Sequence, residues 1–208
     1  MDLFELFPKA VKMLQDRSIP FAVAGGFAAG LYRAEPRVTM DVDLGIALEP
    51  NAEQSGREIL KALGLDTGLL RAADLAGGPL FAIKKKSTPG VMLVGRAQGE
   101  PSGGIDFLLP TIPWVCPAVE RAQDHRADFG FGPVPVLRIE DVLLAKLYAL
   151  QGKVRPKDLD DLQSILESKR EVDWKLVRGG IEAYGLKLPS TARELVPDVL
   201  RVMFRVRT

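Results

Sequence analysis

Apolar positions recur at helical spacing through residues 2–17, where Leu3, Leu6, Phe7, Ala10, Val11 and Leu14 predict an amphipathic helix. Pro20 ends it, and "FAVAGG" reads as a short buried strand running into a glycine turn. "FAAGLYR" fits a short helix and "RVTMDVDLGIAL" a second strand. Residues 52–64 form another amphipathic stretch, with Ile59, Leu60 and Leu63 on one face. "LFAIKKK", "VMLVGRA" and "GIDFLLP" then predict three more strands, separated by Pro89-Gly90 and by "QGEPSGG". "TIPWVCPAVERAQ" predicts a short helix and "FGFGPVPVL" an extended connection. From Arg138 onward the pattern is helical, in pieces near 139–151, 158–168, 173–184 and 190–204, interrupted by Gly152, Gly179-Gly180, Gly185 and Pro189. Short strands with few helices between them argue for a small mixed sheet rather than a doubly wound one. The expected class is α+β: a mixed-sheet core with flanking helices over residues 1–137, followed by a helical region over 138–208.

The second of these strands carries an anomaly. On a strand, alternate residues share a face, so Val38, Met40, Val42, Leu44 and Ile46 form an apolar side while Thr39, Asp41 and Asp43 form the other. Two strand steps separate the acids by about 6.6 Å, from which their carboxylates can converge on a metal pair about 3.5–4 Å apart. Two acids facing the same way repel, so a cation belongs between them, either Mg²⁺ or an arginine. A solvent-facing edge strand would explain the same alternation, but "GIDFLLP" adds Asp106 inside a later apolar strand, between Ile105 and Phe107. Upstream, Gly25-Gly26 closes a strand. Glycines there let backbone N–H groups approach a phosphate, although an ordinary tight turn also uses them.

Composition narrows the chemistry. Of 208 residues, 47% are apolar and 26% charged, which suits a globular chain with a substantial core. A net charge of +1 gives no global basic field, so any nucleic-acid contact must use a local patch. The stretch from Arg201 to Arg207 carries three arginines, and reads equally as such a patch or as a packed terminal helix. One cysteine, Cys116, excludes an internal disulfide and a cysteine-rich metal site. The single histidine, His125, lies in polar "AQDHRAD" and reads as a solvated loop residue, which disfavours histidine-based zinc and triad chemistry. Asp2 and Glu5 interrupt the first apolar stretch, so it does not resemble a signal peptide, and no run approaches the roughly 20 apolar residues of a spanning helix. A cytoplasmic protein with no membrane partner is expected.

The order strand, Gly-Gly, short helix, D-x-D strand and third acid resembles the nucleotidyltransferase superfamily, with its pattern hG[GS], Dh[DE]h and h[DE]h. Here those elements are Ala24-Gly25-Gly26, Asp41-Val42-Asp43-Leu44 and Ile105-Asp106-Phe107. The resemblance implies a polymerase-β-like core in which Asp41, Asp43 and Asp106 bind two divalent ions, usually Mg²⁺, with Mn²⁺ as a substitute. It further implies that Gly25 and Gly26 handle nucleotide phosphates while a hydroxyl attacks the α-phosphate and releases pyrophosphate. Two departures stand out: Gly26 replaces the serine of many members, and fourteen residues separate Gly26 from Asp41, slightly more than usual.

The helical region adds a second likeness. On a helix from Ile139, Lys146 falls within the stripe of Ile139, Val142, Leu143, Leu147 and Leu150, so it must snorkel or meet an anion. A bound triphosphate would be such an anion. Asp158 and Asp161 are well placed to cap the helix that follows. The run from Lys146 through Arg155, Lys157 and Asp158, with "GGFAAGLYRAEPRVTMDVDL" and its Arg37 and Thr39, is similar to the AbiEii-type abortive-infection nucleotidyltransferase toxins. That likeness implies that Thr39, Lys146 and Asp158 join the nucleotide site, with Lys157 and Asp161 as alternatives. It also implies an NTP substrate, an acceptor such as tRNA or protein, and room for an antitoxin partner. The competing readings are a nucleotidyltransferase-like RNA- or protein-binding module and a dinucleotide oxidoreductase. In the latter, the G-x-G-x-x-G register fails at Phe27 and Ala29.

Overall fold

The computed structural model describes residues 3–48, 50–71, 90–98, 103–151 and 154–204. Helix α1 (Leu3–Asp16) buries Leu6, Phe7, Ala10, Val11 and Leu14, the stripe its spacing marks out. Strand β1 (Phe21–Val23), helix α2 (Gly25–Gly30), strand β2 (Asp41–Ile46) and helix α3 (Ala52–Ala62) follow. Then come β3 (Asp66–Arg71), β4 (Gly90–Arg96) and β5 (Gly104–Leu108). These strands form one sheet in the order β1-β2-β5-β4-β3. Among the described strands only β2 and β5 run parallel as neighbours and the other pairs are antiparallel, so the sheet is mixed and, over those strands, lacks the repeated parallel units of a dinucleotide fold.

Parallel register fixes the chemistry of the sheet's two faces. It pairs Asp43 with Asp106 and Leu44 with Phe107, so the acids lie on one face and the large apolar side chains on the other. Behind the acids, Val42, Leu44, Ile46, Leu93, Ile105 and Phe107 are completely buried. Helices α1 and α3 cover that side. Gly56 lets α3 approach closely, since a Cβ there would lie 2.6 Å from Leu93 and 3.2 Å from Phe107. On the acid face, α4 (Val115–Ala122) covers the far end of β2, where Gly45 makes room for Val119.

A two-stranded hairpin, β6 (Arg126–Asp128) and β7 (Pro133–Pro135), lies beyond α4, and Val136 then bridges to Val23 of the main sheet. Helices α5 (Ile139–Ala149), α6 (Pro156–Glu167) and α7 (Trp174–Ala183) come next, α7 capped by the Asp173 carboxylate, which accepts from the Lys175 and Leu176 amides. One hydrophobic cluster runs from Leu6 to Leu200, so residues of sheet and helices share it.

Several expectations need correction. The second strand begins at Asp41, where pairing with Gly104 starts; Val38 and Met40 precede any ladder and are 82% and 54% exposed, so they do not anchor the acids from behind. Strand β3, "DTGLLR", escaped notice because Gly68 and its charged ends hide an edge strand. The strand expected at "LFAIKKK" lies outside the described residues. In place of one helix over 190–204, a 3₁₀ turn (Ser190–Ala192), a short helix α8 (Asp198–Arg201) and a second 3₁₀ turn (Val202–Phe204) follow each other, broken by Pro197. Arg201 pairs with Asp198 at 3.2 Å rather than extending a free basic patch, and residues 205–208 lie outside the described residues. His125 is half-buried, its Nε2 2.6 Å from the Tyr32 hydroxyl, so it is not a solvated loop residue.

Phe107→Ala is expected to cost about 3–5 kcal/mol of stability, because Phe107 is fully buried between the sheet and α3. Urea unfolding monitored by circular dichroism measures it.

Candidate active site

The acids occupy an open trough on the sheet. Asp41 is 37% exposed at the mouth, Asp43 is half-buried further in, and Asp106 is 6% exposed opposite it. Burial pushes the Asp43 carboxyl up to about 6, and the facing negative charges of Asp106 and Asp41 add to it, against the positive charge of Lys146 and Lys157. Burial also raises Asp106, although an arginine hydrogen bond opposes it.

That arginine is Arg96, the last residue of β4. Its guanidinium grips Asp106 with both Nη atoms, one of them at 3.0 Å from Oδ2, and Nη2 stands 3.5 Å from Asp41 Oδ1. Nη1 also donates to the Gly95 carbonyl at 3.0 Å. Nothing in the charge pattern of "VMLVGRA" marks Arg96, because a strand-terminal arginine usually faces water. Its signal lies in Gly104 on the neighbouring strand: a Cβ there would lie 2.8 Å from the guanidinium and 2.0 Å from the Gly95 carbonyl.

Glycines shape the other wall as well. Gly25 has φ +57°, and a Cβ would sit 1.8 Å from the Asp43 carboxylate, so both backbone conformation and space demand glycine. At Gly26 a Cβ would meet Thr39 Oγ1 at 2.5 Å and Arg37 at 3.2 Å. The absent serine is thereby explained, since the Thr39 hydroxyl fills the space its side chain would need. Thr39 Oγ1 itself donates to the Asp41 carbonyl at 3.4 Å, bracing the start of β2.

Lys146 does not snorkel. It is 7% exposed on α5, and its Nζ lies 3.1 Å from Asp158 and 2.7 Å from Asp161, both fully buried one turn apart on α6. Neither acid caps that helix. Pro156 opens it, Arg155 is its N-cap residue without a side-chain cap bond, and both carboxylates turn inward to cations instead. Arg155 reaches Asp158 at 2.6 Å, and Arg33 reaches Asp161 at 2.7 Å. Arg37 forks onto both oxygens of Asp161 at 2.8 and 3.0 Å. Burial would raise Asp161, but the Arg37 hydrogen bond and the Lys146 charge outweigh it and hold the carboxyl at about 2. The network thus links α5 and α6 to the segment just before the acids.

The structure therefore gathers Asp41, Asp43, Asp106, Gly25, Gly26 and Thr39 around one trough, and sets Lys146 and Asp158 in a buried ion network beside it. Three hard carboxylate oxygen donors suit a divalent cation such as Mg²⁺. Among the described residues no three acids already stand as a metal cage, and Asp106 is held by Arg96.

The chain is a protein of the nucleotidyltransferase class. The family model of the nucleotidyl transferase AbiEii toxin, of type IV toxin–antitoxin systems, matches residues 13–201, and the chain belongs to that family. No curated protein matches the chain by sequence. Among solved structures, an antigenic nucleotidyltransferase-like protein from Paracoccidioides brasiliensis is similar at a TM-score of 0.50 and 16% identity, covering 98% of this chain and 94% of that one. The antibiotic-resistance factor ANT(2'')-Ia is similar at 0.49 and 16%, covering 89% and 93%. At that identity the fungal structure bears on the fold alone. No helix among the described residues is long and apolar enough to cross a membrane.

Two measurements probe the site's electrostatics. Asp161→Ala leaves Lys146 with Asp158 alone and strips Arg37 of its buried carboxylate, and is expected to cost about 3–5 kcal/mol, read as a lower urea midpoint. Asp43, raised from 3.8 to about 6, holds a proton in the folded chain through a pH window where the unfolded chain has lost it. The metal-free protein should therefore lose stability as pH rises through that window. Asp43→Asn removes the loss, so its Tm advantage over the wild type should grow between about pH 4 and about pH 7.

Proposed function

We propose that the protein transfers a nucleoside monophosphate from an NTP to an acceptor hydroxyl, with release of pyrophosphate, and that it does so as a Mg²⁺-dependent cytoplasmic toxin. The observation that carries this reading is the parallel register that sets Asp43 beside Asp106, with Asp41 two residues along the same face. Such a cluster repels itself unless cations join it; burial raises the Asp43 carboxyl first, and the facing charge of Asp106 adds to it.

In this reading Asp41, Asp43 and Asp106 hold two Mg²⁺ ions, with Mn²⁺ able to replace them. Bound metal supplies neutralisation of the polyphosphate and orientation for in-line displacement at the α-phosphorus. The chain's own groups do the rest. Gly25 and Gly26 keep the trough wall free of side chains, so that backbone amides reach the phosphates. Thr39 offers the hydroxyl that Gly26 lacks, its Oγ1 lying where a side chain at position 26 would reach. Lys146, oriented by Asp158 and Asp161, places a fixed positive charge near Asp43 and the phosphates. Asp106 accepts the acceptor's proton as the new P–O bond forms.

The mechanism needs no histidine or cysteine, in keeping with the chain's single copy of each. It rests on positioning and charge rather than covalent catalysis. The family makes a toxin role and an antitoxin protein partner the natural setting.

Calorimetry of each NTP with and without Mg²⁺ tests binding, and incubation of radiolabelled NTPs with tRNA or with lysate protein tests the acceptor. Mg²⁺-dependent NTP binding that Asp41→Ala weakens by about a hundredfold or more is the expected result, as for the loss of a charged metal ligand. Failure of every NTP to bind would leave a binding module without transferase activity. Label appearing in tRNA but not in protein, or the reverse, identifies the acceptor class.

A further inference from the structure

Among the described groups, the feature the proposed chemistry leaves unused is Arg96. The acid trough already contains a cation, and that cation belongs to the protein. Both oxygens of Asp106 are engaged by its guanidinium, and Asp41 stands within 3.5 Å of it. A guanidinium fork matches a carboxylate edge to edge, so Asp106 has no second oxygen left open along that edge.

The contact is built into the sheet. Arg96 and Gly104 are paired positions across β4 and β5, and a side chain at 104 would collide with the guanidinium at 2.8 Å. The Gly95 carbonyl takes a further hydrogen bond from Nη1 at 3.0 Å. The Asp106 side chain is 8% exposed, so its carboxylate is shielded from water, while the Arg96 side chain keeps 26% of its surface exposed. On the mouth side, Asp41 is 37% exposed and open to solvent.

We propose that Arg96 is an internal competitor for divalent metal: it reserves Asp106, so that the cluster loads fully only when an incoming polyphosphate offers the guanidinium another anion. This inference rests on the metal-dependent reading above and names a positioning residue for it. Asp43, and Asp41 with its single longer contact of 3.5 Å to Arg96, are the acids that meet a cation first. Asp106 joins them once Arg96 turns outward, a move its partial exposure permits. Arginine binds phosphate oxygens through the same fork it uses for carboxylates, so nucleotide and Asp106 compete for one partner. Metal and nucleotide would then strengthen each other's binding reciprocally, with Arg96 as the coupling element.

The test measures metal binding rather than activity. Mn²⁺ is titrated into the full chain and free Mn²⁺ followed by electron paramagnetic resonance, with and without a non-hydrolysable NTP analogue. Arg96→Gln is expected to bind Mn²⁺ alone about ten- to a hundredfold more tightly than the wild type, the range of a charge-assisted contact that no longer has to be displaced. The gain from adding the analogue should shrink correspondingly. In an Asp106→Asn background the substitution at Arg96 should bring no such tightening.

Unchanged or weaker Mn²⁺ binding by Arg96→Gln would overturn the inference, and so would a gain that survives without the Asp106 carboxylate. Should Arg96→Gln not fold, as judged by its thermal melt, Arg96→Lys decides. It keeps the charge but loses the fork, and must bind Mn²⁺ more tightly than wild type for the inference to stand. If wild type and variants alike bind no Mn²⁺ even with the nucleotide analogue, the metal-dependent reading fails and this inference falls with it. Wild-type binding that Arg96 does not modulate overturns this inference alone.

Discussion

Two carboxylates placed side by side on adjacent parallel strands are the constraint around which this molecule is arranged. Asp43 and Asp106 share one register position, about 4.8 Å apart across the ladder, in a region where burial weakens solvent screening. Like charges so placed oppose strand pairing unless positive charge compensates them. The compensation comes from two directions. Arg96 reaches Asp106 from the next strand, and Lys146 acts on Asp43 from α5. Gly104 and Gly25 give up their side chains so that guanidinium and carboxylate fit.

The same logic governs the helices. Lys146 is buried in an apolar helix, where an unpaired ammonium would be costly, and Asp158 and Asp161 are buried to meet it. Asp161 then draws in Arg37 and Arg33 from the segment ahead of β2. Within this network each buried ion is matched by another, and the chain of matches ends at Arg37, just ahead of the acids' own strand. Charge satisfaction, more than apolar contact, orients the segment over residues 34–40, whose Val38 and Met40 project into solvent.

Much of this was legible in the chain because it follows strict periods. The two-residue alternation places Asp41 and Asp43 on one face, and the apolar neighbours of Asp106 mark it as a buried acid that joins them only if its strand lies beside β2, as it does. The stripe of α1 follows equally from helical spacing, which also sets Lys146 within the apolar stripe of α5 but leaves snorkelling and burial as alternatives. What escaped was pairing between distant residues. Arg96 looks like any charged strand end until Gly104 is known to lie across from it. Asp158 and Asp161 look like caps until α5 is packed against them, because local sequence offers a helix N-terminus and hides a buried lysine twelve residues earlier. The alternation also overran its strand: Val38 and Met40 continue the pattern past the point where β5 ends as a partner.

The Arg37 fork has a consequence for how the folded state opens. Segment 34–40 has no strand ladder, so its order depends on α6, where Arg37 forks onto Asp161 and the Ala34 amide donates to the Ser164 carbonyl at 3.0 Å. If α6 detaches, this segment loses its anchor, and if the segment lifts, α6 is left with an uncompensated buried carboxylate. The two belong to one cooperative unit although about 120 residues of chain separate them, a foldon defined by electrostatics rather than by contiguity. Fluctuations that expose α6 to solvent are therefore fluctuations that disorder the approach to Asp41, and the site's geometry is only as persistent as the docking of a helix that contributes no residue to its floor.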